Sequence, residues 1–307
     1  MCFKIPILLI AFNRPDTTQK VIDSLMSVKP LKIFAAIDAP RPEKGEAEVQ
    51  KNNQVIEIIK NINWDCDIEF IIPKHNMGCK LNISQAITQI FKKVDRLIVI
   101  EDDIIAGPSF FIFADQMLER YKDNPQVGII TANNYTPIDS ATDYYFSRYT
   151  HIWGWALWKR TWEGFDVDLN FLKGKNVEKI LKELNLGSSE MKYMSNYYYN
   201  VKTKIDNGVM NAWGPQFFLY NYLNGLLTIT PKNNLAMNIG VESSRVDKEG
   251  HLDVHFRPVD YDFSVSTHPM KIEVNAVYDK FHFNNHINYK APIFKRIISK
   301  IKRTLLK

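Results

Sequence analysis

The chain has 307 residues, of which 45% are hydrophobic and 24% charged, and its net charge is +5. This composition is close to the globular average and excludes disordered, collagen-like and purely coiled-coil proteins. The longest apolar run, Ile5–Phe12, is shorter than the roughly 18 residues of a membrane-spanning helix and too short for a secretory leader. The three cysteines show no disulfide or zinc spacing. We therefore expect a cytoplasmic protein of one large domain or two modest ones.

The positive charge is concentrated near the C-terminal end. Residues 287–307 hold seven basic residues and no acidic one, so removing them from the total of +5 leaves the first 286 residues at −2. Nucleic-acid binding needs basic residues across a domain face, and no nucleic-acid partner is expected. The apolar residues of this tail recur at helical spacing, a pattern typical of a helix on an anionic membrane surface. A solvated end, or a helix packed on the body, is the alternative.

Strand-like and helix-like segments alternate through the first 130 residues. Apolar runs predict strands at Ile5–Ala11, Lys32–Ile37, Ile68–Ile72, Leu97–Ile100 and Val127–Ile130. This alternation predicts an α/β fold with a mostly parallel central sheet flanked by helices. In the less regular second half, Trp155, Trp158 and Trp162 have i, i+3, i+7 spacing, which predicts a helical stripe facing the core.

Polar side chains follow three of the predicted strands. Asn13 and Arg14 follow the first, Asp38 follows the second, and Glu101-Asp102-Asp103 follows the fourth. In open α/β sheets, ligands bind outside the carboxyl ends of the strands. These side chains should therefore converge at one edge of the sheet, and the convergence suggests a nucleotide-type ligand.

The three adjacent carboxylates are the sharpest chemical signal. They repel one another, and partial burial after an apolar strand makes their ionised forms costly. Mn²⁺ or Mg²⁺ offsets this cost because a hard cation takes carboxylate and phosphate oxygens together. The alternative is a solvated acidic loop. A helix starting at Pro108 would be too far from Asp103 for its dipole to stabilise the charges.

Four further positions have both a binding and a structural interpretation. Arg14 could pair with phosphate or lie on the surface, and Asp38 could contact a nucleoside or cap a turn. Lys80, two residues after Gly78, could hold a diphosphate at a helix start, although one glycine also fits an ordinary turn. Trp153 could stack on a sugar ring beside a glycine, or simply pack in the core.

Together these motifs resemble a GT-A fold glycosyltransferase, with a Rossmann-like sheet. The motifs are Phe12-Asn13-Arg14-Pro15, Asp38, Asn76-Met77-Gly78-Cys79-Lys80 and Glu101-Asp102-Asp103. The order is similar to the N-acetylglucosaminyltransferase I type and to bacterial cell-surface polysaccharide transferases. The latter also carry W-G-W-A, here Trp153–Ala156, a downstream tryptophan followed by glutamine, and an N-I-G turn, here Asn238-Ile239-Gly240. The resemblance covers residues 5 to 286.

The resemblance implies an enzyme that moves a sugar from a nucleotide diphosphate, with UDP as the expected nucleotide, to a glycan or lipid-linked glycan acceptor. Asp103 would bind Mn²⁺ or Mg²⁺, Asp102 would face the donor sugar as a catalytic residue, and Glu101 would face the nucleoside. The remaining donor-binding residues would be Phe12, Asn13, Arg14, Asp38 and Lys80. Residues 1–130 would form the donor half and 131–286 the acceptor half, which would bind the glycan through Trp153, Gly154, Trp155 and Trp213.

One departure from the family pattern concerns the catalytic base. The resembling enzymes have an aspartate after the tryptophan that aligns with Trp213, whereas this chain has Gly214-Pro215. Glu242 is the predicted substitute for an inverting reaction, and Asp206 is a second candidate. A non-catalytic nucleotide- or carbohydrate-binding protein stays open for the same reason. A sugar-phosphate nucleotidyltransferase is the other rival, but it predicts a glycine-rich loop after the first strand, and Asn13-Arg14-Pro15 contains no glycine.

Overall fold

The computed structural model describes residues 3–136, 140–240 and 257–288. The strands are β1 (Ile7–Ala11), β2 (Lys32–Ile37), β3 (Asp67–Ile71), β4 (Arg96–Glu101), β5 (Ile104–Ala106), β6 (Val127–Thr131), β7 (Tyr144–Ser147), β8 (Trp155–Trp158), β9 (Leu227–Pro231) and β10 (Ala236–Asn238). Eight of them form one sheet in the order β3-β2-β1-β4-β8-β6-β9-β7, and β5 pairs with β10 in a separate ribbon. The predicted α/β class with a mostly parallel central sheet is confirmed.

The first four strands of the large sheet set the geometry of the site. β3, β2, β1 and β4 are all parallel, and Ile7 of β1 lies opposite Ile33 of β2 and Ile98 of β4. β8 runs antiparallel between β4 and β6, while β9 is parallel to β6 and antiparallel to β7. The carboxyl ends of β1, β2 and β4 consequently lie side by side at one edge.

Helices cover both faces of this sheet. They are α1 (Pro15–Leu25), α2 (Glu46–Lys60), α3 (Gly78–Ile90), α4 (Pro108–Arg120), α5 (Lys159–Trp162), α6 (Val177–Glu183), α7 (Ser188–Asp206), α8 (Gly214–Leu223) and α9 (Ala276–His282). Alternate residues of β1 enter different core clusters: Leu9 packs with Val21 of α1, and Leu8 packs with Ile87 of α3. A strand buried on both faces explains the continuous apolar run in the sequence.

The predicted helical stripe of tryptophans is wrong. Trp155 and Trp158 begin and end strand β8, and Trp162 lies in the short helix α5. β8 fills the gap between β4 and β6, with Trp155 opposite Val99 on one side and Thr131 on the other. Pairing with β4 and β6 provides hydrogen-bond partners for the backbone N–H and C=O groups of β8. This pairing decides the secondary structure in spite of the helical spacing of the tryptophans. The expected burial of all three indoles is correct.

The described chain ends with α9 and a π-helical turn, Phe283–Ile287. Within the part of the chain that the structure describes, no helix has the length and apolar character to cross a membrane. The amphipathic helix predicted for the basic tail lies outside the described residues, apart from Ile287 and Asn288.

Candidate functional site at the carboxyl edge of the sheet

The three acidic residues occupy the turn between β4 and β5. Glu101 ends β4 opposite Ile10 of β1, and the backbone N–H of Asp102 donates to the Ile10 carbonyl over 2.9 Å. The Asp102 Oδ2 atom accepts the Phe12 N–H at 3.2 Å, so main chain and side chain are both tied to the end of β1. Asp102 and Asp103 are 2% and 7% exposed. The site therefore holds two buried carboxylates in fixed positions.

Arg14 is the counterion of this pair. It caps the start of α1, and its guanidinium donates to Asp103 Oδ2 at 2.7 Å and also to Asp102 Oδ1. Burial alone would lower the pKa of Arg14, but the charges and hydrogen bonds of the two carboxylates outweigh this effect. The pKa of Arg14 is therefore raised above its usual value, and the guanidinium stays charged. Burial raises the pKa of Asp102 to about 6 even though Arg14 opposes the shift. Arg14 is thus positioned with the carboxylates, as the convergence of strand ends predicted.

Glu101 adds a third acidic group, which makes no ion pair with any of the described residues. Burial, followed by the charges of Asp103 and Asp102, raises the pKa of Glu101 to about 8. The cause is that ionising Glu101 would place a third negative charge next to Asp102 and Asp103. A bound cation or a hydrogen-bonding ligand would change the pKa of Glu101.

The donor atoms fit a hard divalent cation. Oδ1 of Asp103 is buried and has no hydrogen-bond partner among the described residues, which is costly for a carboxylate oxygen. Within residues 3–136, 140–240 and 257–288, no three His, Cys, Asp or Glu side chains are arranged to hold a metal ion by themselves. The protein would therefore supply one or two carboxylates, and phosphate and water oxygens would complete the shell, which is the usual mode for Mg²⁺.

The N-I-G turn after β10 packs directly on Asp103. The Ile239 N–H donates to the Asp103 carbonyl at 2.8 Å, and Asn238 lies opposite Ile104 in the β5–β10 ribbon. Oδ1 of Asn238 accepts the Gly240 N–H at 2.7 Å, which closes the turn. Residues about 130 positions apart in the sequence therefore share the task of fixing the proposed metal ligand.

A cavity of about 330 Å³ lies beside the acidic turn. Its lining includes five residues that the sequence predicted to bind the donor: Phe12, Arg14, Asp38, Glu101 and Asp102. It also includes Asn76, from the motif that ends at Lys80, and three polar residues that the sequence did not single out: Arg41, Asn82 and Asn211. The cavity brings together the ends of β1, β2 and β4 with the start of α3, and it is the candidate ligand site.

Asp38 anchors the start of α3. Its Oδ1 accepts the N–H groups of Ala39 and Met77, both at 2.9 Å, and its Oδ2 accepts the Gly78 N–H at 2.8 Å. Gly78 has a φ of +73°, which glycine adopts without strain. The structural interpretation of Asp38 as a capping residue therefore holds, and any contact with a nucleoside would use the remaining capacity of Oδ2.

Glu48 of α2 organises the outer side of the cavity. It pairs with Arg41, whose guanidinium lies 5.5 Å from the centre of the Phe12 ring, and it accepts Asn13 Nδ2 at 2.9 Å. Hydrogen bonding from Arg41 lowers the pKa of Glu48 to about 2, so this carboxylate stays ionised. Asn13 thus forms a hydrogen bond with Glu48, whereas Phe12 and Arg41 both line the cavity. Arg41 lies in a polar stretch whose sequence gave no motif to identify it.

Lys80 and the candidate bases do not join the site in the described residues. The Lys80 ammonium pairs with Asp168 at 2.7 Å, and the residue does not line the cavity. Asp206 lies at the end of α7 in an exposed ion pair with Lys202. Glu242 falls outside the described residues.

Two of the four predicted acceptor residues are core residues. The Trp155 and Trp213 rings stack with centroids 5.6 Å apart and an interplanar angle of 27°, inside one apolar cluster. Their burial removes the surface that stacking on a sugar would need. Gly154 has a φ of +74° and packs close to Ala132, and Trp153 is only partly buried. Of the four residues predicted to bind the acceptor, Trp153 and Gly154 are thus the ones that stay candidates.

Comparisons with known proteins show only a distant structural likeness. No family model and no curated protein matches the chain. A structure of HddC from Yersinia pseudotuberculosis is 14% identical and has a TM-score of 0.34, over 56% of this chain and 87% of that chain. UDP-glucose pyrophosphorylase complexed with UDP-glucose is 12% identical with a TM-score of 0.36, over 75% and 90% of the two chains. 4-Diphosphocytidyl-2C-methyl-D-erythritol synthase from Anaerococcus prevotii is 10% identical with a TM-score of 0.32, over 55% and 82%.

Proposed function

We propose that this chain is a metal-dependent glycosyltransferase that moves a hexosyl or N-acetylhexosaminyl group from a nucleotide diphosphate to a glycan hydroxyl. One observation carries the proposal. Glu101 and buried Asp102 line a cavity of about 330 Å³ at the end of β4, buried Asp103 follows them in the same turn, and Arg14 contacts both aspartates. Carboxylates paired with an arginine in a recess suit a ligand that brings its own phosphates and a cation.

Asp103 would hold Mn²⁺ or Mg²⁺ through its unpartnered Oδ1. When bound, such a cation stabilises the negative charge that a departing nucleotide diphosphate develops. Arg14 would exchange part of its contact with the aspartates for the phosphates, because guanidinium binds both groups bidentately. Asp102, fixed by the Phe12 N–H, would face the sugar. UDP is the proposed nucleotide.

The acceptor side is proposed from the sequence resemblance and from one structural fact. Gly154 contacts residues next to β6 and in β10, so Trp153 lies near the same edge of the sheet as Asp103. A surface polysaccharide or its lipid-linked precursor is the proposed acceptor. Glu242 is the proposed base, giving inversion at the sugar carbon. The basic tail, residues 287–307, would keep the enzyme at the inner membrane face.

Two rivals make different predictions. A sugar-phosphate nucleotidyltransferase would consume a nucleoside triphosphate, but β1 and α1 are separated only by Phe12, Asn13 and Arg14, without a glycine-rich loop for a triphosphate. A non-catalytic binding protein is favoured by Gly214-Pro215, which stands where the resembling enzymes have their base. It would bind the nucleotide without releasing sugar.

The proposal is tested by calorimetric titration of UDP with Mn²⁺ and with a chelator. We expect binding only with Mn²⁺ and a loss in Asp103→Asn. Asp67→Asn, which changes an exposed aspartate paired with Lys32, should bind normally. UDP-sugars are then screened for UDP release with and without a glycan acceptor. Nucleotide binding without release would support the binding-protein alternative, and no nucleotide binding in any condition would refute the proposal.

A further inference from the structure

Asn82 is a buried polar residue beside the acidic turn's cavity. It lies in the second turn of α3, is 6% exposed, and lines the cavity beside β1. The described residues offer its side-chain amide no hydrogen-bond partner. The amide has two donor hydrogens and one acceptor oxygen, and this hydrogen-bonding capacity is left for solvent or for a ligand in the cavity that Asn82 lines.

The neighbouring asparagines are different. Asn52 of α2 donates to the carbonyls of Phe12 at 2.8 Å and Asp38 at 3.0 Å, which ties the ends of β1 and β2 together. Asn76 donates to the Ala39 carbonyl at 2.6 Å. These two residues hold the backbone, whereas Asn82 holds nothing in the described structure. An amide that lines a cavity and makes no hydrogen bond to the described residues is solvated in the free protein, so it is available to a polar group of a ligand.

The position of Asn82 is rigid. The start of α3 is held by Asp38 through the Met77 and Gly78 N–H groups. The next residue, Ile83, is buried in the same apolar cluster as Ile10 of β1. The rotation of α3 about its axis is therefore fixed on both sides of Asn82. A side chain held in this way can discriminate between ligands, because it cannot turn away to find another partner.

We propose that Asn82 is a specificity-determining residue that reads the uncharged nucleoside part of the ligand. This inference rests on the proposed function, because it takes a nucleotide as the ligand. The phosphates are served by Arg14 and by the cation at Asp103, and a neutral amide adds no charge for them. A group that both donates and accepts is complementary to an imide edge of uracil or to a ribose hydroxyl, and these share the same chemistry.

Two alanine variants test the inference by comparing stability with affinity. Asn82→Ala removes an amide that makes no hydrogen bond to the described residues, so its Tm should stay close to that of the wild type. Its affinity for UDP in Mn²⁺ should fall by about ten-fold, because a ligand group loses its partner in a desolvated cavity. The control is Asn134→Ala, outside the cavity, whose buried amide donates to the Pro231 carbonyl and accepts the Thr136 N–H. It should lower Tm and leave UDP affinity unchanged.

Comparing UDP with 2′-deoxy-UDP and with pyrophosphate shows which group of the ligand Asn82 contacts. If Asn82 reads the ribose 2′-hydroxyl, wild type and Asn82→Ala should bind 2′-deoxy-UDP equally. If the loss persists with 2′-deoxy-UDP but wild type and variant bind pyrophosphate in Mn²⁺ equally, the contact is to another neutral group of the nucleoside. Either result supports the inference. Weaker pyrophosphate binding by the variant would place the contact on the phosphates and overturn the inference. Equal UDP affinity of wild type and Asn82→Ala would overturn it while leaving the proposed function standing. A Tm loss in Asn82→Ala as large as that of Asn134→Ala would also overturn it. Absence of UDP binding by the wild type would instead refute the proposed function.

Discussion

Gly240 and Asp103 are in direct contact, although a sheet crossing and about 130 residues separate them in the chain. A methyl group on Gly240 would lie 2.9 Å from both Cβ and Cγ of Asp103, and closer still to Oδ2. The Gly240 backbone is held by Asn238, and the Asp103 carbonyl accepts the Ile239 N–H. The N-I-G turn therefore packs against Asp103 and fixes the position of this proposed metal ligand.

Gly240→Ala should accordingly displace the Asp103 carboxylate. We expect a loss of stability of about 1–3 kcal/mol, typical of overpacking, and a fall of about ten-fold or more in Mn²⁺-dependent UDP affinity. Thermal unfolding and calorimetry measure the two effects. Gly187→Ala is the matched control because a methyl group there meets no atom within 4 Å. Normal UDP affinity in Gly240→Ala would show that the turn does not position the site.

Arg14→Met should leave Asp102 and Asp103 without their counterion. Breaking a buried ion pair costs roughly 3–5 kcal/mol, and we expect about 1–3 kcal/mol here because the Arg14 side chain is one-third exposed. If Asp103 binds a cation, Mn²⁺ should raise the Tm of this variant more than that of the wild type, since the cation replaces the lost charge.

The control for this prediction is Arg41→Met, which removes a guanidinium that pairs with Glu48 instead of the aspartates. Its loss of Tm should not be recovered by Mn²⁺. Equal Mn²⁺ effects on wild type, Arg14→Met and Arg41→Met would mean that the ion acts elsewhere on the protein.

The strand ends of the site could be predicted from the sequence because each follows a continuous apolar run. In a parallel sheet, that pattern alone places the residues after β1, β2 and β4 at one edge. Arg14, Asp38 and the acidic turn were predicted in this way. Lys80 was expected at the site because of its spacing from Gly78, but the direction of its side chain is set by Asp168, which lies 88 residues later. No local pattern contains that information.

Asn82 and the tryptophans of β8 escaped prediction for two different physical reasons. An asparagine inside an apolar helix pattern is indistinguishable in sequence from an ordinary tolerated residue, and only the structure shows that Asn82 lines the cavity. Trp155, Trp158 and Trp162 fit a helical spacing, yet the gap between β4 and β6 required a strand there. In both cases tertiary neighbours decide the outcome, and these are not encoded in the local sequence.

Asp279 should make stability depend on pH near neutrality. It is buried on α9, where it accepts the Ser147 hydroxyl at 2.6 Å and the Arg148 N–H at 3.0 Å. Burial raises the pKa of Asp279 to about 7, despite these hydrogen bonds. The folded state therefore keeps a proton that the unfolded state releases near pH 4, so this stabilising contribution is complete below pH 4 and is lost as pH rises towards 7.

Asp279→Asn removes this titration and also replaces one accepting oxygen with a donor. The variant should be less stable than the wild type at pH 4.5, and the gap in Tm should narrow as pH rises to 8. Thermal unfolding by circular dichroism across this range measures the gap. A gap that stays constant would mean that Asp279 has the same pKa in the folded and unfolded states.

His282 should give a pH dependence of the opposite sign. It is buried on α9, with its Nε2 atom 3.0 Å from Nε2 of His151, so one ring must donate and the other accept. Burial, followed by the neighbouring His151 and His286, holds the pKa of His282 well below its usual range. The contribution of His282 is therefore present above about pH 6.5 and is lost as pH falls, because the unfolded chain takes up the proton first.

His282→Gln should reduce the acid sensitivity of the fold. An amide can still meet His151 but does not titrate, so the variant should be less stable than the wild type at pH 7.5 and should approach or exceed it at pH 5. His75→Gln, which changes an exposed histidine, should keep the wild-type dependence on pH. Parallel Tm curves for wild type and His282→Gln from pH 7.5 to 5 would contradict the lowered pKa of His282. They would place the acid sensitivity in other groups, since Asp279 on the same helix acts in the opposite direction.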